Sequence, residues 1–133
     1  MHRPRLKPFT RTIDGSRLTL TTDPGLTIAI EDPDGSHARL LDLLDGSRPI
    51  GEITLPGFTP DEIAEGIAAL DEAGLLEDAG AAPLQDQERY YNNLAFFGTF
   101  ADLRTSRHAF QARLAQARVL QIGAGGVGST VLL

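Results

Sequence analysis

The 133-residue chain has no cysteine. That absence excludes disulfides, thiol catalysis and cysteine-ligated zinc together. Its three histidines, His2, His37 and His108, lie far apart with no ligand spacing between them. They read as solvated or packing residues, and no metal site is expected. No apolar run is long enough to cross a membrane. The basic start, Met1-His2-Arg3-Pro4-Arg5, has no apolar stretch behind it to make a secretory signal, so a cytoplasmic location and no membrane partner are expected. Basic residues are missing from one long stretch. Between Phe58 and Glu88 there is no Lys or Arg, while Asp61, Glu62, Glu65, Asp71, Glu72, Glu77, Asp78, Asp86 and Glu88 all fall there.

What is present reads as a folded core with a second piece attached. Residues 6–13 read as one extended segment, Asp14-Gly15 as a hairpin turn, and residues 17–21 as a second strand. Asp23-Pro24-Gly25 makes another turn. Leu26, Ile28 and Ile30 then share one face of a third strand. The period changes at Ala38, Leu40, Leu41, Leu43 and Leu44, a helical apolar stripe closed by Gly46. Residues 50–55 form a short second helix or turn. Thr59-Pro60-Asp61-Glu62 is a strong helix start, with Thr59 as N-cap, Pro60 at the first helical position and Glu62 completing a capping box. That third helix runs to about Ala73 with Ile63, Ile67 and Leu70 inward, and Leu75-Leu76-Glu77 reads as a return strand. The expectation is an α+β fold over residues 1–80, a winged helix-turn-helix with a three-stranded sheet and three helices. An Ala/Gly/Pro/Gln-rich linker follows, with the boundary at residues 81–87.

Residues 88–133 differ in character. Leu94, Phe96, Phe97 and Phe100 cluster, and residues 105–117 read as a helix with Phe110, Leu114 and Ala117 on one side. Residues 119–122 read as a buried strand running into Gly123-Ala124-Gly125-Gly126-Val127-Gly128. G-x-G-x-x-G after a strand starts a nucleotide-binding βα turn, whose glycines let backbone N–H groups approach a phosphate. A working site also needs the rest of the βαβ unit and a later acidic residue. The piece therefore reads as a truncated α/β nucleotide-binding start, with Gly123, Gly125, Gly126 and Gly128 as an incomplete nucleotide corner. No catalytic residue and no cofactor are expected in this chain. Packing on the first block, a homodimer through residues 94–100, and partial disorder all stay open.

A winged helix invites a nucleic-acid reading, but the helix that would enter the groove carries only acidic charges, and DNA affinity comes mostly from Lys and Arg on phosphates. Arg3, Arg5, Lys7 and Arg11 fall on alternate positions of the first strand and read as a solvated strand face. Two further readings survive: peptide binding by strand addition at an unpaired sheet edge, and a structural appendage of a nucleotide domain.

The strand meander, the helix ending in Asp45-Gly46, the short helix at 50–55 and the 59–73 helix followed by Leu75-Leu76-Glu77 resemble, in their order, a PqqD-type RiPP recognition element. RiPPs are ribosomally made, post-translationally modified peptides. Glu88-Arg89-Tyr90-Tyr91-Asn92-Asn93, and Arg118-Val119-Leu120-Gln121-Ile122 with its glycine loop, resemble the start of a ThiF/MoeB-type, ubiquitin-activating-like protein. With Asn93-Leu94-Ala95-Phe96-Phe97, the chain is similar to ThiF-like proteins of thiazole- and oxazole-forming pathways. Asn92 stands where that family has an ATP-supporting Arg, and Asn93 where it has Gln. The resemblance implies binding of a precursor's leader peptide and its delivery to a YcaO-type cyclodehydratase. It also implies, as an alternative, ATP-dependent adenylation and a zinc site in a longer form, whose Asp, Arg, Lys and cysteine ligands would lie beyond Leu133. The expected peptide groove lies between the third strand and the 59–73 helix: Thr27, Ala29, Ile30, Glu62, Gly66, Ala69 and Ala73. Ala64, Ala68 and Asp71 form the alternative helix face. The helix's acidic residues favour basic or hydrogen-bonding positions on that peptide.

Overall fold

Proline has no N–H to give a sheet ladder, and Pro8 decides the first feature of the fold. The computed structural model describes residues 2–22, 25–83, 87–120 and 122–123. The segment expected as one strand splits around Lys7-Pro8 into β1 (Pro4–Leu6) and β2 (Phe9–Asp14). β2 forms a three-stranded antiparallel sheet with β3 (Arg17–Thr22) and β4 (Thr27–Glu31), in the order β2-β3-β4. β1 leaves that sheet. It pairs antiparallel with β5 (Leu76–Asp78), the return strand, in the register Arg5↔Glu77. The helices are α1 (Ser36–Leu43), α2 (Pro60–Glu72), α3 (Tyr91–Phe100) and α4 (Arg107–Gln116). The α+β class and the three-stranded sheet hold.

The expected second helix shrinks to one 3₁₀ turn, Ile50–Glu52. Pro49 precedes it, Gly51 sits inside it and Pro56-Gly57 follows, which leaves no room for the several turns a stable helix needs. The full capping box forms at α2 between Thr59 and Glu62, and Ile63, Ile67 and Leu70 are buried as their spacing requires. These residues meet Leu18 and Leu20 of β3, Leu40 and Leu41 of α1, Leu44, Ile53, Leu55, Leu75 and Leu76 in one core. Leu103, from beyond the linker, belongs to the same core.

α1 begins at a left-handed glycine, Gly35, that has no side chain to cap it. The buried Asp32 supplies the cap from farther back. One carboxylate oxygen accepts from the His37 N–H at 3.0 Å and the other from the Ala38 N–H at 2.9 Å. The His37 ring lies 3.2 Å from the first oxygen. Burial raises the Asp32 pKa, but the Ala38 and His37 N–H groups and the His37 ring together outweigh it, and the carboxyl sits below the ordinary value.

The α3–α4 hairpin is fastened to the first block by charge. Glu77 is 5% exposed. One of its oxygens accepts from Arg5 Nε at 3.0 Å and Nη2 at 2.7 Å; the other accepts from Arg107 Nε at 3.0 Å and Nη2 at 2.6 Å. Gly98 makes room for this, because a Cβ there would lie 2.8 Å from Arg107 Nη2. Lys7 Nζ donates to the Thr99 carbonyl at 3.2 Å, and the Leu103 N–H donates to Asp71 Oδ1 at 3.0 Å. Burial pulls the Lys7 pKa down against the opposing pull of Glu77, Asp102 and Asp71. Within the hairpin, Phe97 stacks on Phe110 at 5.7 Å, and Asn93 Nδ2 donates to Gln111 Oε1 at 3.2 Å. Of the three arrangements left open by the sequence, packing on the first block is present in the structure.

Two outcomes follow from these contacts. Asp32→Ala should cost about 1–2 kcal/mol at neutral pH, the usual loss of a helix cap. Because the folded pKa is depressed, that contribution is complete above about pH 4 and is lost as pH falls through the lower folded value. Urea unfolding of both proteins at pH 7 and pH 3 should show the gap shrinking in acid; an equal gap at both would refute the cap. Glu77→Gln should cost about 2 kcal/mol, since a buried carboxylate loses its charge-assisted bonds while the two arginines, partly exposed, can turn to water. Hydrogen exchange should show α3 and α4 losing protection before the β2-β3-β4 sheet, and uniform loss would mean that the clamp does not hold the hairpin in particular.

Candidate functional site

An antiparallel strand alternates the direction of its hydrogen-bonding groups, so one row of N–H and C=O groups on an edge strand points outward. The Thr22 N–H donates to the Leu26 carbonyl and the Asp32 N–H to the Ser16 carbonyl, at the two ends of the β3–β4 pair. With the register Leu20↔Ile28 and Leu18↔Ile30, Ile28 and Ile30 bond to β3. Thr27, Ala29 and Glu31 therefore turn their backbone groups to the open edge. Among the described residues no strand pairs there. The Thr27, Ala29 and Glu31 side chains are exposed, while Ile28 and Ile30 are half-buried against the core.

A shallow cleft of about 50 Å³ opens between α1 and α2. Ser36, His37 and Leu40 line it from α1, Leu55 and Phe58 from the turn before α2, and Glu62, Ile63 and Gly66 from α2. Gly66 brings the two helices close, since a Cβ there would sit 3.3 Å from Leu40 Cδ2. Glu62 stands at the rim and is held in place: its Oε2 accepts from the Thr59 N–H at 2.7 Å and the Thr59 hydroxyl at 2.9 Å. The Thr59 backbone N–H first, and then its hydroxyl, keep the Glu62 carboxyl below its ordinary pKa, so the rim carries a fixed negative charge.

The structure separates the expected residues into three places. Glu62 and Gly66 line the cleft. Thr27 and Ala29 lie on the free edge, and Ile30 faces the core beneath it. On α2, Ala69 is exposed and Ala73 packs partly on the core. The two helix faces are also told apart. The Glu62 and Gly66 face borders the cleft, whereas Asp71, of the alternative face with the exposed Ala64 and Ala68, is engaged by the Leu103 N–H. The groove was expected between the third strand and α2; the cleft seen here is bounded by α1 instead, and no β4 residue lines it.

Sequence reasoning missed the α1 wall and Phe58. A signal for Phe58 existed: an apolar residue just before an N-cap often packs on the one five positions later, here Ile63, and both line the cleft. The expected solvated face is present in part: Arg3, Arg5 and Arg11 are exposed, with Arg5 in the Glu77 clamp and Arg11 paired with Asp42 at 2.8 Å, whereas Lys7 is buried. Val119, Leu120 and Ile122 take no strand and are more than four-fifths exposed, because among the described residues no neighbouring strand receives them. Gly123 has a φ of 94°, and Gly125, Gly126 and Gly128 lie outside the described residues. Among the described residues, no three His, Cys, Asp or Glu side chains group to hold a metal, and no helix is long and apolar enough to cross a membrane. Compared with known proteins, the chain matches no family model, no curated protein and no solved structure.

Gly66→Ala tests whether the cleft takes a ligand. Alanine favours a helix over glycine by about 1 kcal/mol, against which stands a close contact with the movable end of Leu40. The variant should stay folded, with a midpoint within a few degrees of the parent, and should bind more weakly any peptide whose side chain enters the cleft. Thermal melts and titration of a bound peptide check both; unchanged affinity would remove the cleft from the site.

Proposed function

We propose that this chain binds an extended peptide by strand addition along β4, and that the peptide is the leader region of a ribosomally made precursor. The observation that carries this reading is the row of outward backbone groups at Thr27, Ala29 and Glu31 on an unpaired edge. Main-chain hydrogen bonds to that row supply affinity, and side chains settling on the nearby surface set the register. Ala29 has only a methyl group and presents no bulk to an approaching strand. The cleft is far smaller than the several hundred Å³ typical of a small-molecule site, so it suits the tip of one side chain rather than a nucleotide or a metabolite. On this reading the modifying chemistry belongs to a partner enzyme of the YcaO cyclodehydratase type, and this chain contributes recognition.

The test is Ala29→Pro. Its N–H lies on the free side of β4, so proline there removes no bond to β3 and the fold should survive. The same proline removes a donor that an added strand needs and puts its ring in the strand's path. Fluorescence polarisation with a labelled leader peptide, from the precursor encoded beside this chain, should show affinity falling by at least tenfold. Hydrogen exchange on the parent should show the Thr27, Ala29 and Glu31 amides slowing when the peptide binds. Full affinity in a folded Ala29→Pro protein, with no slowing at those amides, would overturn strand addition.

A further inference from the structure

We infer that the peptide taken by this chain is cationic, with an aliphatic or aromatic anchor for the α1–α2 cleft and a Lys or Arg two residues away from it. The inference rests on the strand-addition reading and adds the chemistry of the ligand. The cleft itself is apolar, walled by Leu40, Leu55, Phe58 and Ile63, which selects an apolar anchor. Its rim carries Glu62, ionised and already immobilised by Thr59, so a cation meeting it would not have to order a loose side chain. An extended peptide puts residues two apart on one face, which is the spacing that lets an anchor enter the cleft while its neighbour on that face meets the rim.

The surrounding charges point the same way. Asp61 and Glu65 are exposed on the first two turns of α2, beside Glu62 in the chain. No Lys or Arg occurs from Phe58 to Glu88 to neutralise them. The cations on neighbouring elements are engaged elsewhere. Arg39 of α1 donates to the Gly35 and Asp34 carbonyls, Arg11 of β2 pairs with Asp42, and Arg17 lies across the strands from Glu31. His37, at the cleft wall, has its Nδ1 against Asp32. An acidic peptide would meet unscreened like charge at this surface, and a basic one its complement.

The probe is a phage-displayed random dodecapeptide library selected against the whole chain, with enriched sequences resynthesised as fluorescein-labelled peptides. Enriched sequences should share an apolar anchor with Lys or Arg two positions away. Changing that residue to Glu should weaken binding at least tenfold, and added salt should weaken the parent peptide. Glutamine keeps a capping box, so Glu62→Gln should fold as the parent does while losing about three- to fivefold in affinity and part of the salt dependence. Neutral or acidic sequences that lose binding in Ala29→Pro would overturn the charge inference and leave strand addition standing. Basic sequences that bind Ala29→Pro unchanged, or a selection yielding no specific binder, would overturn both.

Discussion

A carboxylate removed from water must be met by donors, and Glu77 is where this chain satisfies that demand. Its four hydrogen bonds come from two guanidiniums, one on β1 and one on α4, so segments at positions 5, 77 and 107 are tied at one point. The glycines around the clamp are chosen by this crowding. Gly98 leaves room for Arg107, and Gly46, at a φ of 81°, has Ala79 Cβ and Arg5 Cβ where its own side chain would go. Burial first and the Arg107 charge next lower the pKa of His108 beside the clamp.

The clamp acts on the candidate site through α2. That helix leads directly into β5, so holding Glu77 to Arg5 holds the C-terminal end of α2 against β1, and the bond from the Leu103 N–H to Asp71 holds the same end against the hairpin. α1 is placed independently by Asp32 at its first turn. The cleft lies between two helices that are each fixed at an end, and its shape depends on both. The β4 edge is free for another reason. The order β2-β3-β4 puts β4 at one edge of the sheet, and among the described residues no strand pairs with its outer side.

What the sequence disclosed follows the range of the interaction. α2 was legible at its start to the residue and at its end to within one, because its cap, first-turn proline and apolar spacing all act within a few positions. The pairing of β2, β3 and β4 was legible from the Asp14-Gly15 turn and the alternation, while Asp23 and Pro24 of the second expected turn lie outside the described residues. The split at Pro8 was legible in principle, since the missing N–H is a local fact; the alternation on either side of it masked the break. The Glu77 clamp was not legible. Its members are separated by 72 and 30 residues, and no local pattern marks a glutamate in a short strand as the partner of two distant arginines. The same distance rule divides the site. Glu62 and Gly66 share a helix face with each other and could be paired from sequence, while the α1 wall that completes the cleft is a tertiary fact.

The charge pattern links these observations. The basic residues of the first strand region are drawn inward or paired: Arg5 to Glu77, Lys7 to the Thr99 carbonyl, Arg11 to Asp42. Among the described residues, the acidic residues of α2 have no such partners, apart from Asp71, which accepts a backbone N–H, and Glu62, which closes its own cap. Arg3, Arg5 and Arg11 nevertheless stay exposed, as do Asp61, Glu65 and Glu72 of α2. Long-range fields depend on the charges left exposed and unpaired, not on those counted in the sequence. Of the acidic residues of α2, Glu62 is the one that lines the cleft, and its capping bonds to Thr59 fix where that charge stands.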